Sequence, residues 1–170
     1  AGPSVKDGTR LRSEYEALCG TWSGAPGEML ADVVGRLSLL GPRHADEAER
    51  ELVDVIAGGH SRDELLKLAY ALRVENRLDG RTTRCRRSLH ELELLCLAQA
   101  QECFYELALK GGKASTTVSK IARYSGALYS DAHAIATAAP LAGHVDRNWA
   151  AYLLAKGKLF EAQVESANRA

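Results

Sequence analysis

Apolar residues along the chain recur at intervals of three and four and almost never alternate, which is the pattern of helix faces and not of strands. Leu30, Val33, Val34, Leu37 and Leu40 form one such stripe. Pro26 opens it at the favoured first-turn position and Gly41-Pro42 stops it. A short helix is expected before it, over 10–19, broken by the glycines between Gly20 and Gly24. Another is expected over 45–57, with Leu52, Val55 and Ile56 inward and Gly58-Gly59 at its end. Ser61 followed by Glu64 is a capping box, in which the serine oxygen accepts an orphan backbone N–H and the glutamate reaches back to the cap. The helix it starts carries Leu65, Leu68, Ala69, Leu72 and Val74 or Leu78, and Asp79-Gly80 closes it.

Longer helices fill the rest. One is expected over 83–110, ending at Gly111-Gly112; one over 115–138, ending before Pro140; and one from 145 to the C-terminus. Their predicted inward residues are Leu92, Leu95, Ala98 or Gln99, Phe104, Leu107, Ile121, Leu128, Ile135, Trp149, Leu153, Leu159 and Phe160. Small residues such as Ala98, Ala100, Ala122, Gly126 and Gly157 recur where helices would touch and permit close approach of their axes. Short loops between long helices predict an all-α fold, an antiparallel bundle or a solenoid of helical hairpins. No internal repeat is evident. The chain divides into N-terminal hairpins over 1–80 and a long-helix core over 81–170, within one continuous domain.

Composition changes this picture little. A hydrophobic fraction of 46% and a charged fraction of 26% suit a folded chain with a core. Net charge is zero, so DNA is not an expected partner, and attraction to RNA or anionic lipid would need a local patch. No apolar run reaches the roughly 18–20 residues of a membrane span, and no signal peptide is visible. The chain begins at Ala1, consistent with a removed initiator or a cleaved transit segment. The four cysteines, Cys19, Cys85, Cys96 and Cys103, read as reduced thiols.

Chemical motifs are sparse. None of His44, His60, His90, His133 and His144 has the glutamate spacing of a zinc or di-iron site, and no cysteine pair has zinc-knuckle spacing. No metal or cofactor is expected, and a Cys/His nucleophile pair is the least favoured reading. Lys110 to Thr116 superficially resembles a phosphate loop, but Ala114 stands where Ser or Thr should follow the lysine and no strand precedes it. It reads as a helix–helix turn. Arg81, Arg84, Arg86 and Arg87 open a helix, where positive charge gains nothing from the dipole. They are either a solvated turn or a contact for an acidic protein segment, lipid headgroup or RNA phosphate.

The stretch Leu94-Leu95-Cys96-Leu97-Ala98-Gln99-Ala100-Gln101-Glu102-Cys103-Phe104-Tyr105 carries a stronger signal. An apolar triplet leads into Ala-Gln-Ala-Gln-Glu. A Gly/Lys-rich turn follows, then Val118-Ser119-Lys120-Ile121-Ala122, Tyr124 to Asp131, a loop, and a helix from Trp149 through Ala155, Lys156, Phe160 and Glu161. In order and spacing this resembles the BRO domain family, the banana-shaped helical domain of Alix and rhophilin, over about 89–170, with plant and algal members nearest. BRO domains are longer than this chain. Neither their strand-bearing start nor the Leu-Phe-Asn-type helix before the Ala-Gln helix is visible, so the resemblance implies a shortened or partial member.

The resemblance implies a non-enzymatic adaptor whose concave face takes up an amphipathic helix from an ESCRT-III filament subunit. Leu95, with Cys96 and Leu97 adjacent, would belong to that face, and Arg84, Arg86 and Arg87 would be charged partner contacts. Ordinary core is the other reading of Leu95; if it faces the groove instead, Phe104, nine residues on and roughly opposite, is core. The implied setting is cytoplasmic and endosome-associated. The alternative is a fixed structural subunit of a large assembly, contacting neighbouring subunits inside an organelle after transit-peptide removal.

Overall fold

The structure, a computed structural model, describes residues 3–21, 60–77 and 82–169. The helices expected over 26–40 and 45–57, together with Leu78 and Arg81, lie outside the described residues. Those described form α1 (Pro3–Thr21), α2 (Arg62–Asn76), α3 (Thr83–Lys110), α4 (Ser115–Thr137) and α5 (Arg147–Arg169), with no strand among them. The fold is all-α.

Local chemistry sets the ends. Ser61 Oγ accepts the Glu64 N–H at 3.2 Å and Thr82 Oγ1 accepts that of Cys85 at 3.1 Å. Asp146 Oδ1 accepts the Asn148 N–H at 2.7 Å, so this carboxylate caps α5 at the positive end of its dipole. At the end of α3, Gly111 N–H returns to Leu107 O at 2.9 Å and Lys113 N–H to Ala108 O at 3.0 Å. The turn passes through Gly112 at φ +62°, a conformation that favours glycine. Lys110 to Thr116 is thus the helix–helix turn that the sequence indicates.

α2, α3, α4 and α5 pack each against the next as successive hairpins, while α1 lies against both α2 and α4 and so crosses α3. The middle of α3 is therefore enclosed. Leu89, Leu92, Leu95, Cys96, Ala98, Ala100, Gln101 and Tyr105 are all buried, and they point around its whole circumference. Of the two alternatives at 98 and 99, Ala98 is the core residue. Some expected inward residues are not inward. Leu107 and Leu159 are exposed, Ile135 and Phe104 only half-buried. Leu107 and Leu159 lie where no described element covers them.

The α4–α5 crossing rests on two glycines. A Cβ on Gly126 would stand 3.1 Å from Phe160 Cβ, and one on Gly157 would stand 3.0 Å from Ser130 Oγ. Phe160 is itself held between Tyr105, edge-on at 5.4 Å, and Tyr129, stacked at 6.0 Å. These contacts differ in compliance. Phe160 Cβ moves only with its helix, whereas the Ser130 hydroxyl can rotate away. Gly126→Ala should therefore destabilise the fold by about 1–2 kcal/mol, overpacking outweighing the gain in helix propensity. Gly157→Ala should change stability by no more than about 1 kcal/mol in either direction. Chemical denaturation of both variants checks this, and equal losses would contradict the crossing geometry.

Candidate interaction surface

α3 and α5 flank α4, and long side chains join them across it. Glu102 is the centre of this bridge. Its Oε2 accepts the Tyr129 hydroxyl at 2.6 Å and its Oε1 accepts Lys156 Nζ at 2.6 Å. The Lys156 ammonium lies 5.9 Å from the Tyr129 ring and 5.8 Å from the Tyr152 ring. Burial first, and then the adjacent Glu102 carboxylate, push the Tyr129 phenol far above its ordinary pKa, so it serves as a neutral donor. Burial works against the Lys156 charge, but Glu102 outweighs it and the amine stays protonated. To either side, fully buried Glu91 accepts the Trp149 indole N–H at 2.8 Å and Tyr105 donates to Gln163 Oε1 at 3.0 Å.

A second cluster ties α1 down. Tyr15 donates to buried Glu93 at 2.7 Å, and the Arg73 guanidinium lies 5.7 Å from the Tyr15 ring. Arg73 bonds Glu16 at 3.1 Å, and Arg62 pairs with Glu14 while lying 5.9 Å from the Phe104 ring. Burial, followed by the Glu93 charge, holds the Tyr15 phenol well above its usual range. Beneath α1 is a cavity of about 230 Å³, lined by Leu11, Tyr15, Glu93, Leu94, Leu97 and Leu128 among others.

The residues singled out from the sequence separate into different environments. Leu95 and Cys96 have no exposed surface, so a groove-facing Leu95 is corrected. The physical reason is that α3 has no open face at this level. Phe104 is correspondingly not the core residue expected opposite it. Leu97 is half-buried and lines the cavity under α1. Arg86 donates to the Asn76 carbonyl, placing a cation at the negative end of α2. Arg84 is half-buried and Arg87 exposed. In the Ala-Gln run, Ala98 and Ala100 are fully buried, and so is Gln101, whose amide has no hydrogen-bond partner among the described residues. Glu91, Glu93 and Glu102 were missed by sequence reasoning. The available signal was acid at helix positions whose apolar neighbours leave no polar face.

This arrangement is poorly suited to thiol chemistry. All four cysteines are free thiols. Burial pushes Cys19, Cys96 and Cys103 above the ordinary thiol range, the opposite of an activated nucleophile. Among the described residues no group of His, Cys, Asp and Glu could hold a metal ion, and no helix is long and apolar enough to cross a membrane.

Residues 75–168, which take in α3, α4 and nearly all of α5, match the BRO1-like domain. The chain belongs to the BRO1-like family. It is also 38% identical over 69 residues to the vacuolar-sorting protein BRO1 of Arabidopsis thaliana, a stretch that is 41% of this chain and 8% of that protein. No solved structure matches it significantly. The BRO1-like match covers the Glu102 bridge and the glycine crossing, whereas α1 and nearly all of α2 precede it.

The corrected burial reverses the expected order of two substitutions. Leu95→Asp should cost more than about 4 kcal/mol, because an unpaired carboxylate would be sealed in the core. Phe104→Ala should cost about 1–2 kcal/mol, less than for a fully buried ring. Thermal melts of the two variants read the order directly. A milder loss for Leu95→Asp would return Leu95 to an open face.

Proposed function

We propose that the chain is a non-enzymatic protein-interaction module that docks an amphipathic helix of a partner, of the kind carried by an ESCRT-III subunit. Membership of the BRO1-like family carries this reading. The vacuolar-sorting relative supports a role in endosomal sorting and a cytoplasmic, endosome-associated setting. α1 and α2 are part of one continuous domain with the long-helix core, since their polar contacts run onto α3.

Docking is assigned to the last turns of α3. Cys103, Phe104 and Leu107 share one face at spacings of one, three and four, and all keep exposed surface, Leu107 as much as 60%. Three apolar side chains on one helix are what an amphipathic partner needs as anchors. Leu95 and Cys96 contribute by fixing α3 in the core, and Arg84, Arg86 and Arg87 lie at the far end of the same helix. A second reading, a fixed subunit of a larger assembly, draws on exposed Leu154 and Leu159 of α5, a separate apolar surface.

Leu107→Asp tests the docking face. The variant should melt like the parent, since the side chain is already in water. Its affinity for an ESCRT-III amphipathic helix, measured by calorimetry, should fall about tenfold or more. Unchanged affinity would remove the end of α3 from the interface. Stable co-purification with fixed partners, lost on Leu154→Asp, would favour the subunit reading instead.

A further inference from the structure

A groove of about 390 Å³ runs along α4 towards the end of α5, lined by Thr116, Ser119, Lys120, Arg123, Tyr124, Ala127 and Asn168. Its composition is one-sided: two cations, hydroxyls and an amide, and no carboxylate. Lys120 and Arg123 take part in no ion pair among the described residues. Elsewhere the cations tend to be matched, Arg62 with Glu14, Arg73 with Glu16 and Lys156 with Glu102. Ser119 donates its hydroxyl to Asn168 Oδ1 at 2.8 Å, which leaves the amide N–H₂ of Asn168 as the group free to donate. Every polar group that can reach a guest here can therefore act as a donor.

Tyr124 is half-buried and lines both this groove and the cavity under α1, which Arg12 also lines; the charges of Arg12 and Asp131 both reach it. Lys120 and Arg123 are three apart on one helix, so both charges serve one guest. The volume is that of a small-molecule site and not of a crevice for a single ion.

We propose that this groove binds a compact polyphosphorylated ligand of the inositol phosphate class, held by Lys120 and Arg123 with Thr116, Tyr124 and Asn168 as further donors. The sequence placed anion contacts only at Arg81 to Arg87. There, however, Arg86 is committed to the end of α2, whereas the α4 pair is uncommitted.

The test uses the full chain with inositol hexakisphosphate and inorganic phosphate as soluble probes, followed by calorimetry and by amide shifts. Saturable binding of the hexakisphosphate is expected, with shifts centred on residues 116–127. The double variant Lys120→Gln/Arg123→Gln should weaken it by about tenfold or more, each charge-assisted bond being worth that order. Arg147→Gln removes an equal kind of charge from the start of α5 and should leave it unchanged. Thermal melts confirm that the variants fold. Absence of binding, or equal weakening by Arg147→Gln, would overturn the site as mere long-range attraction. Vesicles of phosphatidylcholine with a minor fraction of phosphatidylinositol bisphosphate identify the source: co-sedimentation lost in the double variant assigns a lipid headgroup, and soluble binding alone assigns a free inositol phosphate.

Discussion

A carboxylate enclosed between helices has to be matched by donors or it opposes folding. Glu102 is matched on both oxygens, by a phenol from α4 and an ammonium from α5. Remove the carboxylate, and the Lys156 charge loses its ion-pair partner while the Tyr129 hydroxyl loses its acceptor. Remove Lys156, and Glu102 remains with one neutral donor. Each of α3, α4 and α5 contributes one member, so the bridge exists only when all are in register. It does for orientation what apolar packing cannot, because Leu and Ala contacts tolerate sliding and a charge-assisted triad does not.

Around that triad the packing is close where the residues are small. Ala98 and Ala100 face neighbours within α3, and Gly126 meets Phe160 across the α4–α5 crossing. α1 is held differently. Only Leu11 and Tyr15 are buried along its described side chains, Leu18 and Cys19 pack only partly buried, its polar ties include ion pairs and a phenol–carboxylate bond, and a cavity remains beneath it. Partly exposed ion pairs contribute little. The molecule thus has a closely packed part, α2 to α5, of which the BRO1-like match takes in α3, α4 and nearly all of α5, and a more lightly fastened α1.

The sequence disclosed the elements better than the surfaces. Caps and glycines located α3 to the residue at both ends, and Ser61 located α2, because these signals are local. α1 begins at Pro3 instead of near Arg10, since its first turns carry hardly any apolar residue and give no periodic signal. Residue phase was also right: Leu95 and Phe104 do point roughly opposite ways. What phase cannot say is which side is covered. Periodicity assumes one wet face per helix, and α3 has none at the level of Leu95, because α1 crosses it from a distant part of the chain. The same nonlocality hid Glu102. Its neighbours Tyr129 and Lys156 are 27 and 54 residues away, and nothing near Glu102 in sequence announces them.

The buried Leu95 constrains how such a module can bind. A face that must open before a partner enters would have to expose α3, and the energy for that would come out of the affinity. A surface already formed imposes no such penalty. The end of α3 meets this condition: Cys103, Phe104 and Leu107 sit just beyond Glu102, on a helix whose orientation the carboxylate bridge fixes. The bridge places no residue in the proposed interface, yet it holds the proposed anchors at constant spacing. Under the proposed docking, rigidity gained from a polar contact inside the bundle is in this way converted into selectivity for one partner geometry outside it.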